Sequence, residues 1–197
     1  MLSSQKLEAM KRLNEEYKDL SRNPLVNFGI TVGLFNEENL FERKCTILGP
    51  VDTCYKGGLF YLTIRFPNDY PNSKPEIFFT TPIYHLNVKF FVNGIQPLGH
   101  ICLSSINFWK NTYSMKKTLP EIFYLLGNNN PDDPYDFKDN SRRNEFKNNK
   151  ALFEEKARYF TKKYANPLGK KKNLLQIGIL PIINKINNKF INFYRTK

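Results

Sequence analysis

Three side chains of this 197-residue chain could act as sulfur nucleophiles: Cys45, Cys54 and Cys102. Cys102 sits in "GHICLSSINFW", Gly99 to Trp109, between two aliphatic residues and ahead of two serines. Free cysteine is among the most buried residue types, so residue type alone reads it as a small hydrophobe. To act as a catalyst it needs a route to thiolate, stabilisation of the oxyanion formed at an attacked carbonyl, and a defined leaving group or acceptor. His85 and His100 are the only histidines. Either can be posed as a protease-like base, but on a strand His100 would share a face with Cys102 without that guaranteeing contact, and no further orienting motif accompanies the pair. The three cysteines form no CxxC pair and leave an odd one over, which argues against a disulfide framework and a zinc site. A reducing compartment is expected, and no metal.

The elements around these residues can be read from periodicity. In "SQKLEAMKRLNEEYKDLS", Leu7, Met10, Leu13, Tyr17 and Leu20 recur at helical spacing, with Ser4 as a candidate cap and Asn23-Pro24 as a stop. "NFGITVGLF" alternates Phe28, Ile30, Val32 and Leu34, and "LFYLTIRF" alternates Phe60, Leu62, Ile64 and Phe66, as half-buried strands do. "FERKCTILG" and "EIFFTT" are two further strands, and the turn formers between the four runs predict an antiparallel meander. A long irregular segment follows from Pro82 to about Tyr113, and Cys102 lies inside it; loops of that length often carry function. Helical spacing returns through Leu119, Ile122, Phe123 and Leu126, where Pro120 is tolerable only in a first turn. It returns again through Leu152, Phe153, Lys156, Phe160 and Tyr164. The order is α+β, with helices segregated from the sheet.

Hydrophobic content of 41% with 15% aromatic residues marks a chain that packs. One domain over residues 1–166 with a basic extension over 167–197 is expected. The net charge of +12 raises nucleic-acid binding, but seven of those charges fall in the acid-free extension and leave +5 for the preceding 166 residues. With 24 asparagines among the lysines, compositional bias accounts for the charge, and no nucleic-acid partner is expected. No run reaches a membrane span, and "LLQIGILPIINKINNKFINFY" is broken by Gly178 and Pro181, so no membrane partner is expected either. A cytoplasmic or nuclear site is the expectation, with organelle import the alternative if a leader precedes the chain.

"YHLNV" (Tyr84 to Val88), "GHICLS" (Gly99 to Ser104), Trp109 and "NNNPDDP" (Asn128 to Pro134) resemble, in order, the signature of ubiquitin-conjugating enzymes. "TILGPVDTCYKGGLFYLTIRFPNDYP" looks like that family's sheet, and the likeness covers roughly residues 4 to 166. The resemblance implies the family's fold: an N-terminal helix, a four-stranded antiparallel meander, a long active-site loop and C-terminal helices. It implies that Cys102 takes ubiquitin or a ubiquitin-like modifier from an activating enzyme as a thioester. Cys102 would then give it to a lysine amine of a protein substrate or to a ubiquitin ligase. ATP is used on the activating enzyme, so no cofactor is implied, and the chain carries no GxxxxGK[ST] loop. Asn87 matches the asparagine that stabilises the oxyanion or holds the active-site loop. Asp133 matches the acidic residue beside the incoming lysine. Tyr84 matches an aromatic wall of the acceptor channel, with packing as the alternative, and His85 is assigned to structure. Lys11 and Arg12 match positions that meet the activating enzyme, and Asn72 and Trp109 fall in the ligase-facing loops.

The chain also departs from that pattern. Leu86 replaces the proline of the family's His-Pro-Asn element, which removes a fixed backbone angle beside Asn87. Fourteen residues separate Asn87 from Cys102, about seven more than the family usually has, and the link from Cys102 to Trp109 is about one residue short. Ser104 stands where many members carry aspartate and the SUMO-conjugating relatives carry serine, so the modifier stays open. Asn72 replaces a phenylalanine and "WKNTY" replaces Trp-Ser-Pro-Ala. Leu86 and the insertion sustain one alternative, a non-catalytic variant of the fold that acts as an interaction module.

Overall fold

The computed structural model describes residues 3–34, 39–89, 99–135 and 140–166, and residues 1–165 form one compact unit. The first amphipathic run forms α1, Ser4–Arg22, and buries Ala9, Leu13 and Leu20 while Leu7 faces solvent. Its cap is Ser3 and not the expected Ser4: Ser3 Oγ accepts from Lys6 N–H at 3.2 Å, which satisfies one of the donors left over at a helix start. The helix stops where expected, with Asn23 N–H returning to the Asp19 carbonyl at 2.8 Å ahead of Pro24.

The four expected strands form β1 (Ile30–Leu34), β2 (Glu42–Leu48), β3 (Leu59–Arg65) and β4 (Glu76–Phe79) in an antiparallel meander. A fifth, β5 (Gly99–His100), pairs with β4, so the sheet has five strands and not four. Two residues are too few to show a period. The register sets Cys45 opposite Leu62, Leu62 opposite Phe79, Ile47 opposite Phe60 and Ile64 opposite Ile77, so one face of the sheet is apolar but for Arg43, which stands opposite Ile64 and donates to the Leu13 carbonyl of α1 at 2.9 Å. That face shares its core with Ala9 and Leu13 of α1 and with Leu119, Ile122 and Leu126 of α3 (Met115–Gly127).

The segment expected to be irregular contains β5 and a single turn of helix, α2 (Ser104–Asn107). Pro120 lies in the second turn of α3, not the first. It leaves the Lys116 carbonyl without its helical donor, and the helix is held instead by five buried side chains, Met115, Thr118, Leu119, Ile122 and Leu126. A polar helix with no apolar period, α4 (Ser141–Asn148), precedes α5 (Lys150–Tyr164), which buries Phe153, Ala157 and Thr161. Among the described residues no helix is long and apolar enough to cross a membrane. The basic extension 167–197 and most of the insertion, residues 90–98, lie outside the described residues.

The turn between β2 and β3 reaches toward the segment that leads to Cys102. Gly49 N–H donates to the Gly58 carbonyl at 2.9 Å, folding the intervening loop so that the Tyr55 hydroxyl donates to the Tyr84 carbonyl at 2.8 Å. A Cβ on Gly49 would overlap the Tyr55 carbonyl, a backbone group with no rotamer by which to move aside. Gly49→Ala is therefore expected to lower stability by about 3 kcal/mol, the upper range for an overpacked site. Gly33→Ala, with nothing within 4 Å of its new methyl group, should stay within about 0.5 kcal/mol. Urea unfolding of the two variants checks the contrast.

Candidate active site

His85 is fully buried, between the Tyr55 ring, 5.5 Å away, and the end of α3. Its Nε2–H donates to the Leu125 carbonyl at 3.0 Å, and its Nδ1 accepts the Asn87 N–H at 3.0 Å, which fixes the neutral tautomer. Burial, with Arg142 nearby, pushes its pKa down from 6.5 to about 4, against a smaller upward pull from the Leu125 carbonyl. Both ring nitrogens are committed to the frame, so His85 has none left for proton transfer. His100 packs its ring 5.6 Å from Phe78 of β4.

The rest of the segment is held from two sides. Arg142, in α4, donates from one guanidinium nitrogen to the His85 carbonyl at 2.6 Å and the Val88 carbonyl at 2.9 Å. Leu86, where a proline would lack a donor, uses its N–H: it donates to Asn129 Oδ1 at 3.3 Å, while its carbonyl accepts from Tyr135 N–H at 3.2 Å. The fixed backbone angle lost with the proline is replaced by hydrogen bonds.

Asn87 joins this segment to the loop over 130–133. Its side-chain amide donates to the Asn130 carbonyl at 2.9 Å and the Asp133 carbonyl at 2.7 Å, and its Oδ1 accepts the Asn130 N–H at 2.9 Å. Its own carbonyl accepts from Cys102 N–H at 2.8 Å, beside the Val88–Ile101 bridge. Asn87, Cys102 and Asp133, 46 residues apart at their extremes in Asn87 and Asp133, are thereby brought together.

Cys102 is a free, partly exposed thiol. Partial burial raises its pKa above the ordinary value, and the Asp133 side chain, which faces the sulfur, raises it further. The side-chain amide of Asn107 opposes both, donating to Sγ at 3.4 Å. At neutral pH the resting thiol is thus protonated, and its environment does not prepare a thiolate in advance.

The other expected positions divide. Ser104 is exposed at the start of α2, beside the thiol. Tyr84 is only 8% exposed: its ring packs 5.1 Å from Phe153 and 5.8 Å from Phe160, and its hydroxyl donates to Glu145 at 2.8 Å. The geometry is that of the packing alternative, with the ring turned into the helices and not along a channel. Trp109 donates from Nε1 to the Pro71 carbonyl at 2.8 Å and packs against Tyr70, and so ties the two outer loops together and presents Asn72 to solvent. Lys11 is exposed, whereas Arg12 is held by Glu16 at 2.6 Å and by the Tyr113 carbonyl at 3.0 Å. Among the described residues no group of three acidic, histidine or cysteine side chains could hold a metal ion.

A sequence profile of ubiquitin-conjugating enzymes matches residues 12–161. The chain belongs to the ubiquitin-conjugating enzyme family. Ubiquitin-conjugating enzyme E2 14 of Schizosaccharomyces pombe is 34% identical to it over 166 residues, 83% of this chain and 99% of the relative. A crystal structure described as a ubiquitin conjugating enzyme from Plasmodium yoelii superposes with a TM-score of 0.67 at 36% identity, covering 80% of this chain and 95% of the other. The expected fold is the family's own, here with a five-stranded sheet. Membership implies partners of three kinds: ubiquitin, activating enzymes and ligases. Sequence reasoning missed Arg142, Asn129, Asn130 and Asn107 as parts of this site, although Asn129 and Asn130 stand inside the "NNNPDDP" motif.

His85 gives the site a pH signature. Between pH 6.5 and about 4 the unfolded chain binds a proton at this ring and the folded chain does not. The stability it contributes is present above the unfolded pKa and is lost as pH falls toward the folded one, by about 3 kcal/mol in all. Urea unfolding at a series of pH values should show this slope in the wild type and a shallower one in His85→Gln, whatever the offset between the two.

Proposed function

We propose that Cys102 accepts ubiquitin or a ubiquitin-like modifier as a thioester and passes it to a lysine amine or to a ligase cysteine. The observation that carries this reading is the convergence of a partly exposed thiol, the Asp133 side chain facing it, and a buried amide bracing both. In the first step the Cys102 thiolate attacks the carbonyl carbon of the modifier's thioester on the activating enzyme. A new C–S bond forms, the old one breaks, and the activating enzyme's sulfur leaves as thiolate. In the second step a lysine amine attacks the same carbon, a C–N bond forms, and Cys102 leaves as thiolate, which takes up the proton released by the amine.

The raised thiol pKa fits this order of events. A thiol of higher pKa is a slower leaving group, so the thioester is protected against adventitious exchange until an acceptor arrives. Asp133 then addresses the opposite difficulty, that a lysine of pKa about 10.4 is almost wholly protonated at pH 7. Its carboxylate attracts the ammonium, orients it beside the thioester, and is placed to accept its proton. The ATP-dependent step belongs to the activating enzyme, so this chain needs no cofactor of its own. The hydrogen bond from Leu86 N–H supports the catalytic reading over the interaction module, because it restores the bracing that the missing proline had put in question.

Incubation with activating enzyme, ATP and a panel of pure modifiers should give an adduct that reducing agent removes with at least one of them. Cys102→Ala should give none, while Asp133→Asn should load normally and discharge to free lysine roughly 10²-fold more slowly. A folded sample that forms no adduct with any modifier contradicts the proposal, as does biological activity that survives Cys102→Ala intact.

A further inference from the structure

The acyl transfer just proposed creates negative charge on the modifier's carbonyl oxygen, and that charge needs a donor in place before the reaction. Asn87 has the right group in the wrong state. Both its amide N–H bonds are spent on the Asn130 and Asp133 carbonyls, and its oxygen is taken by Asn130 N–H. At 1% exposure it is sealed in place. To reach an oxyanion this buried amide would have to break at least one of those bonds and loosen its hold on the loop that carries Asp133.

Asn107 is in the opposite condition. It is exposed, it is the last residue of the one-turn helix α2, and its backbone N–H is fixed on the Leu103 carbonyl at 2.9 Å. Its side-chain amide donates to Cys102 Sγ at 3.4 Å, and among the described residues that is the amide's only hydrogen bond. The carbonyl oxygen of an acyl group on Sγ lies two bonds from the sulfur, within the sweep of the same side chain. The short link between Cys102 and Trp109 is the segment that sets this amide beside the thiol.

We infer that Asn107, and not Asn87, supplies the side-chain N–H that stabilises the oxyanion at Cys102, Asn87 being the positioning residue that holds Asp133 and the thiol in register. The inference rests on the proposed thioester chemistry. It assigns a catalytic role to Asn107, because its amide touches the reacting sulfur. It adds that the same N–H stabilises the free thiolate, in line with the downward pull of Asn107 on the thiol.

The experiment is a pulse-chase. Wild type, Asn107→Ala and Asn107→Asp are loaded to plateau with modifier by the activating enzyme, ATP is removed, and discharge to free lysine is followed under single-turnover conditions. Alkylation of the unloaded Cys102 by iodoacetamide is measured in parallel as a function of pH, and thermal unfolding confirms that each variant is folded. Asn107→Ala should discharge about 10²–10³-fold more slowly, the cost of one lost oxyanion donor, with its dependence on lysine concentration unchanged. Its alkylation profile should move to higher pH. Asn107→Asp, equal in size but without the donor, should lose at least as much. Discharge by folded Asn107→Ala within threefold of wild type, or an unmoved alkylation profile, overturns the inference while leaving the proposed function standing. A wild-type chain that never loads overturns both.

Discussion

The Asn87 side chain is a neutral amide whose three polar positions are all taken by the backbone of the 130–133 loop, at 1% exposure. Its backbone carbonyl takes the N–H of Cys102. The thiol and the Asp133 loop therefore hang from one residue, and neither can move without leaving a buried polar group unpaired, at about 1–3 kcal/mol for each. A neutral amide suits this place better than a charged side chain, since it satisfies donors and acceptors together and carries no ionic desolvation cost.

The residues around Asn87 extend the same logic outward. His85 is kept neutral by burial so that one ring nitrogen can donate to Leu125 and the other can accept from Asn87. Arg142 supplies cationic donors to two carbonyls of the segment, and Leu86 uses an N–H that a proline would not have. Tyr55 reaches in from the β2–β3 loop to the Tyr84 carbonyl, and Tyr84 itself is anchored on Glu145, which also pairs with Lys156. The reacting sulfur sits at the end of this frame, outside it, with partners that leave it protonated at rest. Rigidity and reactivity are separated: the frame is buried and saturated with hydrogen bonds, while the groups free to meet an incoming carbonyl or amine lie at its edge.

The sheet was legible because alternating residues such as Phe60, Leu62 and Ile64 carry a period of two over enough length to read. The helices were legible as elements but less so in rotation: Leu7 and Leu152, placed on apolar faces by spacing, are exposed, and Ser3 took the cap assigned to Ser4. Strand β5 is two residues long, and α4 has no apolar face, so neither carried a signal. Within the site, Cys102, Asn87 and Asp133 could be picked out only as an ordered set resembling a family. Arg142 acts on backbone carbonyls 54 and 57 positions away, which no side-chain pattern announces. Asn107 is one asparagine among 24, and its meaning comes from a distance to sulfur that only the fold sets. Tyr84 was ambiguous between channel and core because aromatic residues serve both, and burial decides the difference.

Whether Asn87 holds the site together through its amide is tested most directly by amide hydrogen exchange of Asn87→Ala against wild type. Exchange should quicken at Asn130, whose N–H loses its side-chain acceptor, by about tenfold or more, and at Tyr135 in the released loop, with the β2–β3 core unchanged. Unaltered protection across residues 128–135 in a folded Asn87→Ala protein would contradict that role.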